Sequence, residues 1–327
     1  MKKKMLKLSI IILLLLFIFG GIISVQKVEG GFLVKYPIVI PYTYTIYEDH
    51  VELNKYCGKS ETVKIPDKIL GKPVTSIGED CFFINEKISK VVLHENIEQI
   101  GQYAFVKCTN LIEVTGGENV KEIGRGAFWR CRNLEVADLG NKIEKVENTA
   151  FAECSKLDSI GEQKNLVYIG VNAFRSTEIT DICLNDNVEI RRWAFHETPW
   201  LESQPDEFVL AGNGQLIYYN GSEAKIVVPD NVRTIVGGAF DGLKDVEVYI
   251  PESVVTIEAY SFDDCENIKV YIPASATEIA TDEGNMGIEM WNTTSFTIVT
   301  TQDSCAHKYA LERGVLCEIV DEIEYPQ

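Results

Sequence analysis

Eight phenylalanines recur at a nearly fixed period along this chain: Phe82, Phe105, Phe128, Phe151, Phe174, Phe195, Phe240 and Phe262, separated by 23, 23, 23, 23, 21, 45 and 22 residues. Each closes a segment made of an aliphatic residue, a short polar gap and a small residue. The single long interval is about two periods, so one unit there has been replaced or remodelled. A unit of this length is too small to enclose its own apolar face, and chains that repeat such a unit stack it into a solenoid with one continuous core.

Written out, the units are TSIGEDCF, EQIGQYAF, KEIGRGAF, EKVENTAF, VYIGVNAF, VEIRRWAF, RTIVGGAF and VTIEAYSF. A further apolar residue generally precedes each aliphatic by three, as in Val74/Ile77, Ile97/Ile100, Val120/Ile123 and, at the end of the series, Ala276/Ile279. These columns predict that each Phe is buried between neighbouring coils. Truncating an internal one to Ala should then cost about 3–5 kcal/mol.

A second strand per unit is expected after the Phe, in stretches such as KISKVVLHENI, ITDICLNDNV, AKIVVPDNV and DVEVYIPESV. Alternation with a period of two points every second residue outward. The outward column reads Val92, Thr115, Asp138, Gly161, Cys183, Val227, Tyr249 and Tyr271, turning apolar and aromatic toward its end. The corresponding column before the aliphatic, from Ser76 and Gln99 to Thr256 and Glu278, is polar.

These units, together with the opening IYEDHVELNKYCGKSETVKIPDKILGKPVTSIG, the interior FVLAGNGQLIYYNGSEAKIVVPDNV and the ending SCAHKYALERGVLCEIV, resemble the BspA-like leucine-rich repeat family of surface and secreted proteins. The resemblance spans residues 44–320. It implies a curved, mainly β repeat solenoid with short turns or helices in each coil. It also implies adhesion or ligand binding, and it brings no catalytic residue.

The chain departs from the family pattern at two places. Residues 198–225 contain a hairpin around Gly212-Asn213-Gly214, expected as an inserted bulge between one repeat stack over 74–197 and a second over 226–280. Residues 281–302 read as an irregular loop carrying Trp291, followed by a strand. The stack ends need covers, assigned to a hairpin-containing region over 44–73 and to a helix and strand over 303–327. Trp129 and Trp200 are placed in turns between strands.

The first 30 residues carry lysines followed by an apolar run from Leu8 to Ile23, the profile of a secretory signal. The run is also near the minimum for a membrane anchor, so cleaved signal and retained anchor both stand, with residues 31–43 as a linker. Either way the repeats are expected outside the membrane, which is touched only through an uncleaved N-terminal segment. Residues 1–30 hold five of the 31 basic and one of the 49 acidic residues, leaving 26 against 48, a net charge of about −22. Such a surface repels phosphate and argues against nucleic acid as a partner.

Of nine cysteines, Cys108, Cys131, Cys154 and Cys265 fall three residues after their repeat Phe, and Cys81 takes the place of the small residue before one. Locking to the repeat phase points to packing as buried thiols. Disulfides along Cys108, Cys131 and Cys154 are the alternative, and the spacing suits no metal cluster. Cys57, Cys305 and Cys317, in the end regions, are the expected reactive thiols. The four histidines lie in different units without metal-ligand spacing, no nucleophile motif is present, and no cofactor is implied. The Asp and Asn runs suit turns rather than calcium.

What remains is aromatic. Val227, Tyr249 and Tyr271 share the outward column, while Trp193 and Tyr260 occupy the phase two residues before a Phe. These five are the candidate ligand-binding residues of a non-enzymatic module that recognises an extracellular protein or glycan. The competing reading is a structural spacer, in which the same rings only stabilise the sheet.

Overall fold

The computed structural model describes residues 24–28, 31–35, 41–281 and 294–326. The apolar N-terminal run and the loop with Trp291 lie outside them. Among the described residues no helix is long and apolar enough to cross a membrane. The chain falls into two compact units, residues 1–143 with 150–162, and residues 144–149 with 163–327.

The first unit opens with antiparallel strands, of which Tyr42–Ile46 pairs with Val51–Tyr56. From there all inter-coil pairing is parallel. Val51–Tyr56 is followed by Lys72–Ile77, Gln99–Ile100 and Glu122–Ile123. A separate sheet stacks Thr62–Lys64, Lys90–Val92, Glu113–Thr115 and Val136–Asp138. Each coil thus gives one short strand to each sheet.

The second unit stacks Lys145–Val146, Tyr168–Ile169 and Glu189–Ile190 in parallel. After the four-residue helix Pro199–Glu202, the strands Phe208–Ala211 and Gln215–Tyr219 form an antiparallel hairpin, and parallel stacking resumes with Thr234–Ile235, Thr256–Glu258 and Glu278–Thr281. The other sheet runs Lys225–Val227, Glu247–Tyr249, Glu266–Tyr271, Thr294–Thr301 and Leu316–Val320. Helix Cys305–Arg313 closes the last coil. Its N-cap Ser304 accepts from the His307 amide, and Gly314, at φ +67°, ends it in the left-handed region that glycine adopts freely. Trp200 lies in the Pro199–Glu202 helix rather than in a turn between strands, with its ring 4.4 Å from that of Phe195. Around Gly161 and Cys183, where alternation predicts strands, none forms, and Gly161 has φ +74°, far from the strand region.

All eight repeat phenylalanines are buried, none more than 3% exposed. Their rings stack nearly parallel within each unit. Phe105 and Phe128 are 5.0 Å apart at 2°, and Phe240 and Phe262 are 5.0 Å apart at 7°. Aromatic pairs free to choose also adopt edge-to-face geometry. Here the strand spacing of about 4.8 Å repeats the same rotamer coil after coil, so the rings lie parallel.

The backbone around each Phe makes a third hydrogen-bonded ladder. The amides of Tyr103, Phe105 and Lys107 reach the next coil at Arg125, Ala127 and Trp129, at 2.9, 2.7 and 2.7 Å. The intervening amides of Ala104 and Val106 bond back within their own coil. This alternation requires left-handed residues two before and two after the Phe, as at Tyr103 (φ 53°) and Lys107 (φ 55°).

The thiols three residues after the Phe complete the turn. Cys108, Cys131 and Cys154 donate Sγ–H to the carbonyls of Phe82, Phe105 and Phe128, one coil back, at 3.0, 2.9 and 3.0 Å, and Cys265 does so to Phe240 at 3.0 Å. All nine cysteines are free thiols, and these four and Cys81 are buried. Burial pushes the Cys131 and Cys154 thiols well above their usual range and Cys265 up to about 12.

The 45-residue gap is a restart. Tyr219 donates its amide to Ala239 O at 2.8 Å, the bond that Phe82, Phe105, Phe128, Phe174 and Phe240 make to the following coil, and its ring packs 5.7 Å from Phe240. It is therefore the missing ring of the column. Tyr56 makes the same bond to Cys81 O at 2.7 Å and packs 5.1 Å from Phe82. The likeness extends through both hairpins. Tyr42 pairs with Tyr56 across one, with rings 5.2 Å apart at 51°, and Phe208 pairs with Tyr219 across the other, 5.1 Å apart at 50°. Each hairpin shifts register one residue later, and each Tyr hydroxyl accepts from the amide four residues on. Gly58 and Gly221 lie against the two phenol rings, where a Cβ would collide with the hydroxyl. Residues 208–227 thus repeat the capping hairpin of residues 42–64 in mid-chain.

Candidate binding site

Because a fresh cap begins at residue 208, the strand Glu189–Ile190 has no following repeat strand. One side chain takes its place. Gln215 Oε1 accepts from Ile190 N at 3.0 Å, and Gln215 Nε2 donates to Val188 O at 2.7 Å, so the carboxamide acts as a single peptide group of the absent strand. Both bonds satisfy backbone groups that would otherwise be left without partners at a sheet edge.

Beside Gln215 the break opens a cleft of about 730 Å³. Asn187, Glu189 and Arg191 form one wall, and Asn213, Thr234, Thr256, Glu258 and Glu278 the other. Arg191 Nη1 crosses it to Glu258 Oε1 at 3.2 Å and also meets Glu189 Oε1 at 3.1 Å. Thr256 donates to Glu278 Oε2 at 2.8 Å. Three carboxylates against one guanidinium leave the lining negative, rich in acceptors and amides. Anionic ligands are disfavoured there, and hydroxylated or cationic ones are favoured. Among the described residues no three His, Cys, Asp or Glu side chains converge as metal ligands.

Trp193 and Tyr260 meet at the same break although 67 residues apart. Their rings lie 5.8 Å from each other, with the Arg192 guanidinium 4.8 Å from Trp193 and 4.1 Å from Tyr260. Trp193 Nε1 donates to Asp241 Oδ2 at 2.6 Å. Both aromatics sit at left-handed positions, φ 55° and 64°, which large residues occupy at a cost of about 1–2 kcal/mol and which Asp80, Asn172 and Gly238 fill in other coils. The stack with Arg192 offsets that cost. Burial raises the Asp241 carboxyl to about 6, against the Trp193 hydrogen bond, with Asp263 and Asp264 adding to the rise.

Parallel register aligns Val227 with Tyr249 and Tyr249 with Tyr271. Val227 is 42% exposed, but Tyr249, which alternation points outward, is only 5% exposed. Two rings cover it. Tyr271 stacks on it at 4.1 Å, and Tyr325, from beyond the last strand, lies 6.4 Å away while its hydroxyl donates to Ile250 O at 2.9 Å. Tyr249 Oη donates to Glu247 Oε2 at 2.7 Å, and burial together with contacts to Tyr271 and Glu247 raises its pKa.

The residues proposed from the sequence therefore form two separate groups, Val227/Tyr249/Tyr271 on the sheet and Trp193/Tyr260 at the break. Sequence reasoning missed Gln215, Arg191 and Glu258. It also missed the restart, for which the paired Tyr-x-Gly of Tyr56/Gly58 and Tyr219/Gly221 was the available signal.

The sequence profile of the BspA type leucine rich repeat region matches residues 75–202 and 214–310, in six copies. The chain belongs to this family. The unmatched residues 203–213 hold the first strand of the restart hairpin. No curated protein matches the sequence. Among solved structures, a leucine rich cell surface protein from Faecalibacterium prausnitzii is similar at 20% identity over 85% of this chain and 96% of its own, with a TM-score of 0.48. Leucine-rich repeat proteins from Eubacterium ventriosum and Bacteroides ovatus are each 19% identical. They cover 82% and 81% of this chain and 72% and 71% of their own, with TM-scores of 0.46 and 0.41. The family fixes the repeat architecture, and the restart at residue 208 is read from this chain's own contacts.

Proposed function

We propose that this BspA type repeat protein is an exported, non-enzymatic recognition module that binds a neutral, hydroxyl-rich glycan in the cleft beside Gln215. The carrying observation is the cleft itself, an opening of about 730 Å³ where the stack restarts, lined by carboxylates, amides and hydroxyls. Ligand sites favour such junctions, since the surrounding coils fix the walls while the break leaves their polar groups uncovered by a next coil. Export rests on the lysine-rich, apolar N-terminal segment. The test is a glycan and extracellular-matrix array with the purified chain, beside a Glu189→Gln/Glu278→Gln variant. Saturable glycan binding that the variant loses supports the reading. Binding only to matrix proteins, or glycan binding indifferent to the variant, refutes this site.

A spacer role is favoured by a different observation. Many surface charges are engaged with their own neighbouring coils, as in the half-buried Lys90–Glu113 at 2.6 Å and the exposed Lys121–Glu98 at 2.9 Å and Lys156–Glu135 at 3.0 Å. Asn110, Asn119 and Asn133 likewise donate to carbonyls one coil back. Absence of any saturable ligand would leave this as the function.

A further inference from the structure

The ring that covers Tyr249 comes from the segment after the last strand. Residues 321–326, Asp-Glu-Ile-Glu-Tyr-Pro, lie in no strand or helix, and Asp321, Glu322 and Glu324 are exposed. The segment turns back across the sheet of Lys225–Val227, Glu247–Tyr249 and Glu266–Tyr271. There Tyr325 lays its ring against Tyr249 and hydrogen-bonds to Ile250 O. Tyr325 itself stays 38% exposed, whereas Tyr249 beneath it is 5% exposed. The covered Tyr249 forms an aromatic step with Tyr271, rings 4.1 Å apart, with Lys269 Nζ 5.6 Å from the Tyr271 ring and the exposed Val227 beside them.

We infer that this aromatic step is a docking surface for an extended segment bearing a tyrosine, and that the chain's own residues 321–326 occupy it as a removable strap. The partner's chemistry is read from the segment already seated there: a phenol ring packed against tyrosine and its hydroxyl on a strand-end carbonyl, with the flanking carboxylates left in solvent. Extended segments docked by one aromatic anchor exchange readily, because few groups hold them. Any other ligand of Tyr249 must displace the strap. This surface is separate from the glycan cleft and stands without it.

The strap is tested by nitrating tyrosines with tetranitromethane in the intact chain and in Tyr325→Ala, mapping modified positions by mass spectrometry. Tyr219, 4% exposed in the core of the same unit, reports folding and should stay unmodified in both. Tyr249 should be protected in the intact chain and modified in the variant. A synthetic Asp-Glu-Ile-Glu-Tyr-Pro peptide added to the variant should restore protection, and the same peptide with Ala for its tyrosine should not. The inference is overturned if Tyr249 reacts in the intact chain, or if it stays protected in a variant whose Tyr219 is also protected. It is equally overturned if the tyrosine peptide fails to protect.

Discussion

Tyr56 and Tyr219 occupy the same place in two copies of one capping hairpin: each donates its amide to the residue just before the next coil's Phe and packs its ring on that Phe. Tyr219 is therefore a mid-chain cap ring, and Tyr219→Ala should cost about 3–5 kcal/mol in urea unfolding. Tyr219→Phe keeps the ring and loses the hydroxyl's bonds to Glu207 and Glu223, costing about 1 kcal/mol. Equal losses in the two variants would show that the ring does not fill the column.

The thiol ladder predicts a graded reaction with Ellman's reagent. Cys57 and Cys183, both exposed, should react fastest, with the half-buried Cys305 and Cys317 behind them. The five buried thiols should react only on unfolding, since burial keeps the reagent from the sulfur. Cys131→Ser should fold with somewhat reduced stability. A native-state titre equal to the denatured one would contradict the ladder.

Asp241 gives a pH dependence of defined sign. Its carboxyl rises from 3.8 to about 6 in the folded chain, so the native state holds the proton more tightly than the unfolded state. Stability from this group falls as pH rises from about 4 to about 6 and stays lower above that. The loss is about 2 kcal/mol after allowing for the solvent that reaches the group. Asp241→Asn retains an acceptor for Trp193 and removes the charge. It should raise stability at pH 8 and flatten the profile over this window, as followed by thermal melts. An unchanged profile would exclude Asp241 as the source.

Gln215→Ala should leave Ile190 N and Val188 O without partners at the break, costing about 1–3 kcal/mol. Hydrogen exchange at the Ile190 amide should become faster in the variant while exchange at Ile123 stays slow. Uniform acceleration would mean global destabilisation instead.

The repeat period, the buried Phe column, the aliphatic pairs and the phase-locked cysteines were legible in the sequence because they are local. Each coil is short, and the strand spacing places the same residue of every coil in register, so a one-dimensional pattern maps directly onto a three-dimensional stack. The hairpin around Gly212-Asn213-Gly214 was legible from its turn residues for the same reason. The tertiary structure alone decided what lies where the pattern breaks. Gln215 substitutes for a strand, Trp193 reaches Asp241 across 48 residues, and Tyr325 returns over Tyr249. These pairs obey no period. They follow from where the chain restarts and where its last segment turns back, so alternation could point Tyr249 outward but could not show that Tyr325 would cover it.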